Sequence, residues 1–405
     1  VAAAAAAVLG APPARVCTNC KAPKHSWDTI PVSFHSAAKA TGPDGLWSPS
    51  DLATIGRFPL VTMEKWQASA ATDPATGAPV FLWEEDAWAA AAKQIKAASP
   101  NTSVVVWMDT LLVYTGWNVN PQNTTVNTTL NPDADAACAT GHFRPAEYLE
   151  TAGKALLLRN ASGGLALTSY GHCHAYDHSQ AAARQYWTDR CLDMTSTGVI
   201  DGCGADFSAM GWNEWSMCTA ENIARDMALD LPTATKWAAG HRQMMRDTQI
   251  ALGNGLLIAK DPAELGDHAN AVLQEDGCYR RNATVNNLRN LTARRRAAGA
   301  AGARWVYQCH GQEADNNTMA AFLVGAGDGD YLTVGGWDNG ADGHWVDDFA
   351  RPLGPPLADA TYDITTQTWH REFASGTKVT FTPHINPAGH DMGGTGTIEW
   401  GTKPF

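Results

Sequence analysis

From Phe58 onward the chain repeats one pattern: a short β-branched or aliphatic run, a loop with polar and aromatic residues, then an alanine-rich stretch. Short continuous apolar runs fit strands buried on both faces, and the alanine-rich stretches fit the crossover helices between them. The alternation therefore predicts βα units around a parallel sheet. Eight runs carry it: 58–64 (FPLVTME), 103–109 (SVVVWMD), a weaker one at 170–177 (YGHCHAYD), 198–206 (GVIDGCGAD), 255–261 (GLLIAKD), 270–276 (NAVLQED), 304–310 (RWVYQCH) and 331–337 (YLTVGGW). Helices are predicted over 84–99, 179–194, 233–252, 285–300 and 316–327, with Ser179 placed to cap the second.

Eight strands with intervening helices predict an α/β fold of the (β/α)8 TIM-barrel type over 21–357. An open doubly wound sheet is the weaker alternative, because no Gly-x-Gly-x-x-Gly follows the first run and polar residues end nearly all the runs. After the eighth run the pattern changes to alternating Thr, Val, Phe and Ile with glycine turns (361–385 and 394–401). That alternation predicts two to four antiparallel strands, a small C-terminal β appendage over 358–405 with no Pro/Ser-rich linker before it. Residues 1–20, with their alanine run, read as the remnant of a leader.

Composition narrows the partners. With 41 acidic and 29 basic residues and a net charge of −12, the chain lacks the clustered cations that nucleic acid or an anionic membrane requires. The one basic cluster, Arg294 to Arg296, fits the end of a surface helix. No apolar run reaches the roughly 18 residues of a membrane span. Seven Asn-x-Ser/Thr sequons, at Asn101, Asn123, Asn127, Asn160, Asn282, Asn290 and Asn316, predict N-linked glycans. Nine cysteines fit an oxidising compartment, so the expected location is extracellular or the secretory lumen; their pairing stays open, and the odd count leaves one over. Sixteen tryptophans against nine tyrosines and ten phenylalanines supply flat faces for stacking on sugars, with most expected to pack in the scaffold.

In a (β/α)8 barrel the active site lies at the C-terminal mouth, so a polar residue ending a strand is a functional candidate. Asp206 ends its run and is a catalytic candidate, whereas Asp201 begins the same run and is expected to bind backbone amides. Glu275 ends the sixth run and is the second catalytic candidate, chosen over Asp276. Two carboxyl groups across a mouth suit glycosidic cleavage, one protonated to serve the leaving oxygen and one ionised to attack carbon or activate water. Asp109, Glu64, Trp212, Trp215, His310, Trp337 and Asp338 are the expected substrate-binding residues; Gln308 and Lys260 also end strands, and Asp177 is expected to cap a helix.

The segment 156–208 (LLLRNASGGLALTSYGHCHAYDHSQAAARQYWTDRC…TGVIDGCGADFS) is similar to glycoside hydrolase families with a TIM-barrel catalytic domain. It shares with them an aliphatic-Arg segment ahead of a strand ending in Asp177, the Arg184-x-Tyr186-Trp187 helix, and a strand with Asp201-Gly202 and a final Asp206. Cys203 and Gly204 depart from the bulky residues usual there. The tail around Arg371, Phe373, Gly376 and Val379 also resembles such enzymes. The resemblance implies a glycosidase acting on an oligo- or polysaccharide, with Asp206 as nucleophile or base and Glu275 as acid, and without a cofactor.

Other chemistries fit less well. His172, His174 and His178 lie close together with Cys173, but no His-Glu-x-x-His or paired-ligand spacing accompanies them, so no metal site is expected. Cys17-x-x-Cys20 fits a local disulfide better than zinc. No nucleophile elbow, P-loop or dinucleotide fingerprint occurs. The remaining alternative is a lectin-like barrel that binds glycan without cutting it.

Overall fold

The computed structural model describes residues 21–38, 40, 42, 46–65, 84–113, 153–168, 173–206, 208, 218–260, 271–274, 283–284, 304–310, 314–336, 340–385 and 390–405. Eight strands form one parallel sheet in chain order: Ser33–Ser36, Leu60–Met63, Ser103–Asp109, Gly202–Asp206, Leu256–Lys260, Ala271–Gln274, Arg304–His310 and Asp330–Gly335. The two outermost strands also meet. Val32 bridges Leu332 in parallel, the Leu332 N–H donates to the Pro31 carbonyl at 3.0 Å, and the Ser33 and Thr333 hydroxyls bond at 2.6 Å.

Among the described residues the sheet has the expected eight strands, but one member differs. The described part of the run at 170–177, residues 173–177, does not enter the sheet; its His174–Ala175 pairs antiparallel with Leu112–Val113 in a separate two-stranded sheet. The missing place belongs to Ser33–Ser36, which has no apolar run because only Phe34 packs in the main core while Ser33 and His35 face the other side.

Strand alternation divides the sheet into two faces. On one face Leu60, Val105, Trp107, Leu256, Ile258, Ala271, Leu273, Val306 and Tyr331 form their own cluster; on the other, Val104, Val106, Cys203, Ala205, Leu257 and Val334 join the helices in a larger core. The fourth strand carries glycines because of its neighbour. Gly204 is the register partner of Trp107, and a Cβ there would lie 1.7 Å from the Trp107 ring. The departure from bulky residues at this position is thus compensated by an indole from the adjacent strand.

Helices Glu84–Ala98, Ala181–Ser196, Leu231–Leu252 and Asn316–Gly325 fall where alanine-rich stretches predicted them. Asp230 and Asp315 cap the last two through the N–H groups of Thr233 and Thr318. Ser179 does not cap its helix. Its hydroxyl and N–H go to Asp177 Oδ1, and this turn leads into a helix that begins two residues later. The helix expected over 285–300 lies outside the described residues.

The C-terminal strands Thr361–Asp363, Thr368–Glu372, Lys378–Ile385 and His390–Glu399 form an antiparallel sheet, extended by Ala283–Thr284. It docks on the helix Asn316–Gly325. Arg371 Nη1 donates to the carbonyls of Leu323 and Ala326, satisfying acceptors that a helix C-terminus leaves open. Gly396 lies so close to this helix that a Cβ would come within 2.5 Å of the Ala320 methyl.

A disulfide joins Cys191 to Cys203, tying the helix Ala181–Ser196 to the fourth strand; Cys173 and Cys309 are also disulfide-bonded, and Cys218 is a buried thiol. Cys17 and Cys20 lie outside the described residues. Among the described residues no helix is long and apolar enough to cross a membrane, and no cluster of His, Cys, Asp and Glu is suited to hold a metal.

Candidate active site

The polar residues at the C-terminal ends of the strands share the parity of the inner apolar cluster. Asp109 continues the alternation of Val105 and Trp107, Lys260 that of Leu256 and Ile258, and Gln308 that of Val306. Asp206 is the register partner of Asp109, so the two carboxylates stand side by side on neighbouring strands. The same alternation brings His35 and Glu64 to this end of the first two strands.

Lys65 is the hub of the cluster. Its Nζ lies 2.8 Å from Asp206 Oδ2, 3.4 Å from Asp109 Oδ2 and 3.4 Å from Glu64 Oε2. Lys260 Nζ approaches Asp206 Oδ1 at 3.4 Å. All three acids and Lys65 are buried, and buried charges persist only where opposite charges or hydrogen bonds replace water. Ammonium groups at these distances favour the ionised form of Asp206.

Glu64 is held from behind. Gln308 Nε2 donates to His35 Nδ1 at 2.9 Å, which puts the ring proton on Nε2, and Nε2–H donates to Glu64 Oε1 at 3.1 Å. The other Glu64 oxygen accepts the Lys65 N–H at 2.9 Å.

Helices pin the strand ends. The Trp88 indole donates to the Glu64 carbonyl at 3.1 Å and the Trp187 indole to the Asp109 carbonyl at 2.8 Å. Thr110 grips the Asp206 carbonyl, with His178 and His241 behind it. Burial pushes the His178 imidazole down to about 4, against the pull of the Thr110 carbonyl it bonds. Burial pushes the Cys218 thiol up, and the Asp206 charge adds to that, so the thiol is no candidate nucleophile.

Of the residues expected at the site, Asp206, Asp109 and Glu64 come together. Asp201 sits at the opposite end of the sheet, where its Oδ2 accepts the Val104 N–H at 2.9 Å and the Lys96 ammonium at 2.5 Å, the structural role expected of it. Lys65 and His35 were not singled out by the sequence reading. Each had a signal: Lys65 follows a strand-end acid, and His35 lies in the short run PVSFHS. Glu275, Trp212, Trp215, Trp337 and Asp338 lie outside the described residues, as does the side chain of His310, whose backbone ends the seventh strand.

Residues 135–377, more than half of the chain, match the profile of a family described as hypothetical glycosyl hydrolase family 15. The chain belongs to that family. As a member of hypothetical glycosyl hydrolase family 15 it is a glycosidase, with carbohydrate as its substrate class. No curated protein matches the chain by sequence. Among solved structures, a maltogenic α-amylase, AmyB, from Thermotoga neapolitana is 11% identical and aligns over 88% of this chain and 85% of its own at a TM-score of 0.50. At that identity the likeness is one of fold. An α-amylase from Geobacillus thermoleovorans, crystallised with acarbose, aligns over 93% and 97% of the two chains at 9% identity and a TM-score of 0.45. A GH31 sulfoquinovosidase from E. rectale, in complex with an aza-sugar inhibitor, aligns over 94% and 62% at 11% identity and 0.48.

Proposed function

We propose that the sheet closes into a (β/α)8 barrel and that its C-terminal mouth hydrolyses O-glycosidic bonds of an oligo- or polysaccharide through Asp206 and Glu275. Closure is supported by the meeting of the first and eighth strands and by the Gln308–His35 bond, which spans the eighth strand between them. The observation that carries the catalytic reading is Asp206 itself, at the end of the fourth strand between Lys65 and Lys260. Its side chain is also the most accessible of the three acids around Lys65, at 13% against 5% for Glu64 and 2% for Asp109.

An ionised carboxylate can attack carbon or take a proton from water, but it cannot supply one. The acid must therefore come from elsewhere on the mouth. Ala271 and Leu273 belong to the same cluster as Val105 and Trp107, and the period of two they begin favours Glu275 over Asp276 as the acid in this reading. In this reading Glu275 gives its proton to the glycosidic oxygen as the bond to the anomeric carbon breaks. Asp206 then either forms an ester with that carbon, which water cleaves while Glu275 takes the proton, or deprotonates a water that attacks directly. A carboxyl separation of about 5–5.5 Å selects the first course and about 6.5–9.5 Å the second.

Asp109, Trp212, Trp215, His310, Trp337 and Asp338 are the residues proposed to hold the sugar. Glu64 contributes through Lys65, since both of its oxygens are engaged. The chemistry calls for no cofactor. The disulfides, together with sequons at the exposed Asn101 and Asn316, support a glycosylated protein of the secretory lumen or extracellular space.

The test is turnover of a panel of α- and β-linked p-nitrophenyl glycosides by the wild type, Asp206→Asn and Glu275→Gln. Loss of kcat by about 10³-fold or more is expected in the first variant, and by about 10²- to 10⁴-fold in the second, with folding intact. Wild-type turnover in Asp206→Asn overturns the assignment.

A further inference from the structure

Thr110, the first residue beyond the third strand, stands at a junction of hydrogen bonds. Its N–H and its hydroxyl both donate to the backbone carbonyl of Asp206, at 3.0 and 2.7 Å. The hydroxyl has one hydrogen, and that carbonyl takes it. The contact of Thr110 Oγ1 with His241 Nε2 at 3.0 Å therefore has the imidazole N–H as donor. On the other side, the Thr110 carbonyl accepts from His178 Nε2 at 2.5 Å.

All three residues are fully buried. Two imidazoles in a core carry a desolvation cost that aliphatic side chains would not, so their bonds to one residue require a reason. Filling the carbonyl of Asp206 is not sufficient, because the Thr110 N–H already does so. What the second donor adds is direction. Two donors from one residue fix the plane of the peptide after Asp206, and His241 in turn fixes the rotamer of the hydroxyl. His241 is immobilised by flat stacking on Trp237, with ring centroids 5.3 Å apart and 13° between planes, and both project from the helix Leu231–Leu252.

We infer that Thr110, backed by His241, is a positioning residue for Asp206: the relay from His241 Nε2–H through the Thr110 hydroxyl to the Asp206 carbonyl aims the carboxylate. The inference rests on the reading of Asp206 as the group that carries the chemistry. Asp206 occupies the last position of its strand, so its side-chain direction depends on the peptide that follows, and this peptide is the one gripped. The helix Leu231–Leu252 thus reaches the catalytic strand end through a hydroxyl and without touching substrate.

The experiment compares Thr110→Val, Thr110→Ser, His241→Leu, His241→Gln and the double variant Thr110→Val/His241→Leu, using the p-nitrophenyl glycoside that the wild type turns over fastest. Because displacement of a reacting group by about 1 Å costs about 10²-fold, Thr110→Val is expected to lower kcat by about 10- to 100-fold with KM within about threefold. Thr110→Ser restores the hydroxyl and returns kcat to within about threefold of the wild type, and His241→Gln, which keeps an N–H donor, outperforms His241→Leu. The double variant is no worse than Thr110→Val alone, since both changes cut one relay. Unchanged kcat in Thr110→Val, a parallel rise in KM, failure of serine to rescue, or additive losses in the double variant each overturn the inference. Where Thr110→Val does not fold, the His241→Gln and His241→Leu pair decides by the same criteria. Asp206→Asn run alongside separates the two readings: an active Asp206→Asn removes the reading of Asp206, whereas an inactive one beside an unimpaired Thr110→Val removes only the relay.

Discussion

Replacing Lys65 by methionine removes one charge from a cluster that holds three carboxylates within 3.4 Å of it. At an effective dielectric of about 20, an ammonium attracts a carboxylate by about 6 kcal/mol at the Asp206 distance and about 5 kcal/mol at each of the other two. Desolvation opposes most of this, and the net loss when a buried ion pair is broken is about 3–5 kcal/mol. Lys65→Met should therefore lose about that much stability in urea at neutral pH. The kinetic consequence is more specific. Loss of a neighbouring cation favours the protonated form of Asp206, so the acid limb of kcat/KM moves to higher pH, while Lys260, 3.4 Å away, limits the movement. Lys65→Arg keeps the charge and should keep the limb near its wild-type position, whatever it does to packing. Initial rates on a p-nitrophenyl glycoside from pH 4 to 9 measure the limb directly. An acid limb that stays in place in Lys65→Met, with activity otherwise reduced, would show that Lys65 does not set the charge state of Asp206.

Three further outcomes follow from the same contacts. The His178 imidazole titrates at about 4 in the folded chain against 6.5 unfolded, so between these values the unfolded state binds more protons; its contribution is full above pH 6.5 and falls by about 3 kcal/mol as pH drops to 4. Urea unfolding at several pH values should show a shallower acid slope in His178→Asn than in the wild type, and equal slopes would refute the assignment. Gly204→Ala forces a methyl into the Trp107 ring and should cost about 3 kcal/mol or more, part of which Trp107→Leu recovers in a double-mutant cycle; additive losses would mean that the ring is not what excludes the methyl. Removing the Cys191–Cys203 bridge, whose residues lie 12 apart in sequence, by a double alanine substitution should cost about 3 kcal/mol of chain entropy in thermal or urea unfolding. An unchanged midpoint would show that the helix and strand stay joined without it.

The third strand, with its continuous run Val104–Val106, was among the most legible. Ser103–Asp109 and Arg304–His310 have the bounds their runs implied, and Leu256–Lys260 is one residue shorter at each end than its run. Ser33–Ser36 was illegible for a physical reason: one face of it bears Ser33 and His35, whose partners Thr333, Gln308 and Glu64 lie far away in sequence. The run at 170–177 misled for the converse reason. It has strand character, but Ala175 and Cys173 pack in the core while its pairing serves a short outlying ladder. The three acids Glu64, Asp109 and Asp206 were legible because each closes an apolar run. Lys65 was not, because a cation after a strand-end acid has the composition of an ordinary solvated turn, and only the register of the second strand with the third and fourth buries it.

Register also explains why the acids do not simply repel one another. Asp109 and Asp206 are opposed on neighbouring strands, and like charges directly opposite destabilise a sheet. A glycine at 204 and an indole at 107 pack the layer below them, so the apolar cluster ends one residue short of both carboxylates. The next layer up must then be polar, and it must be close to neutral to remain buried. Among the described residues at this end of the sheet, Lys65 and Lys260 set two positive charges against the three acids, one negative charge in excess. That excess charge suits a transition state in which positive charge develops at the anomeric carbon. In the proposed reading the lysines therefore do more than make burial tolerable: they favour the ionised form of Asp206 and leave the sugar facing the excess negative charge.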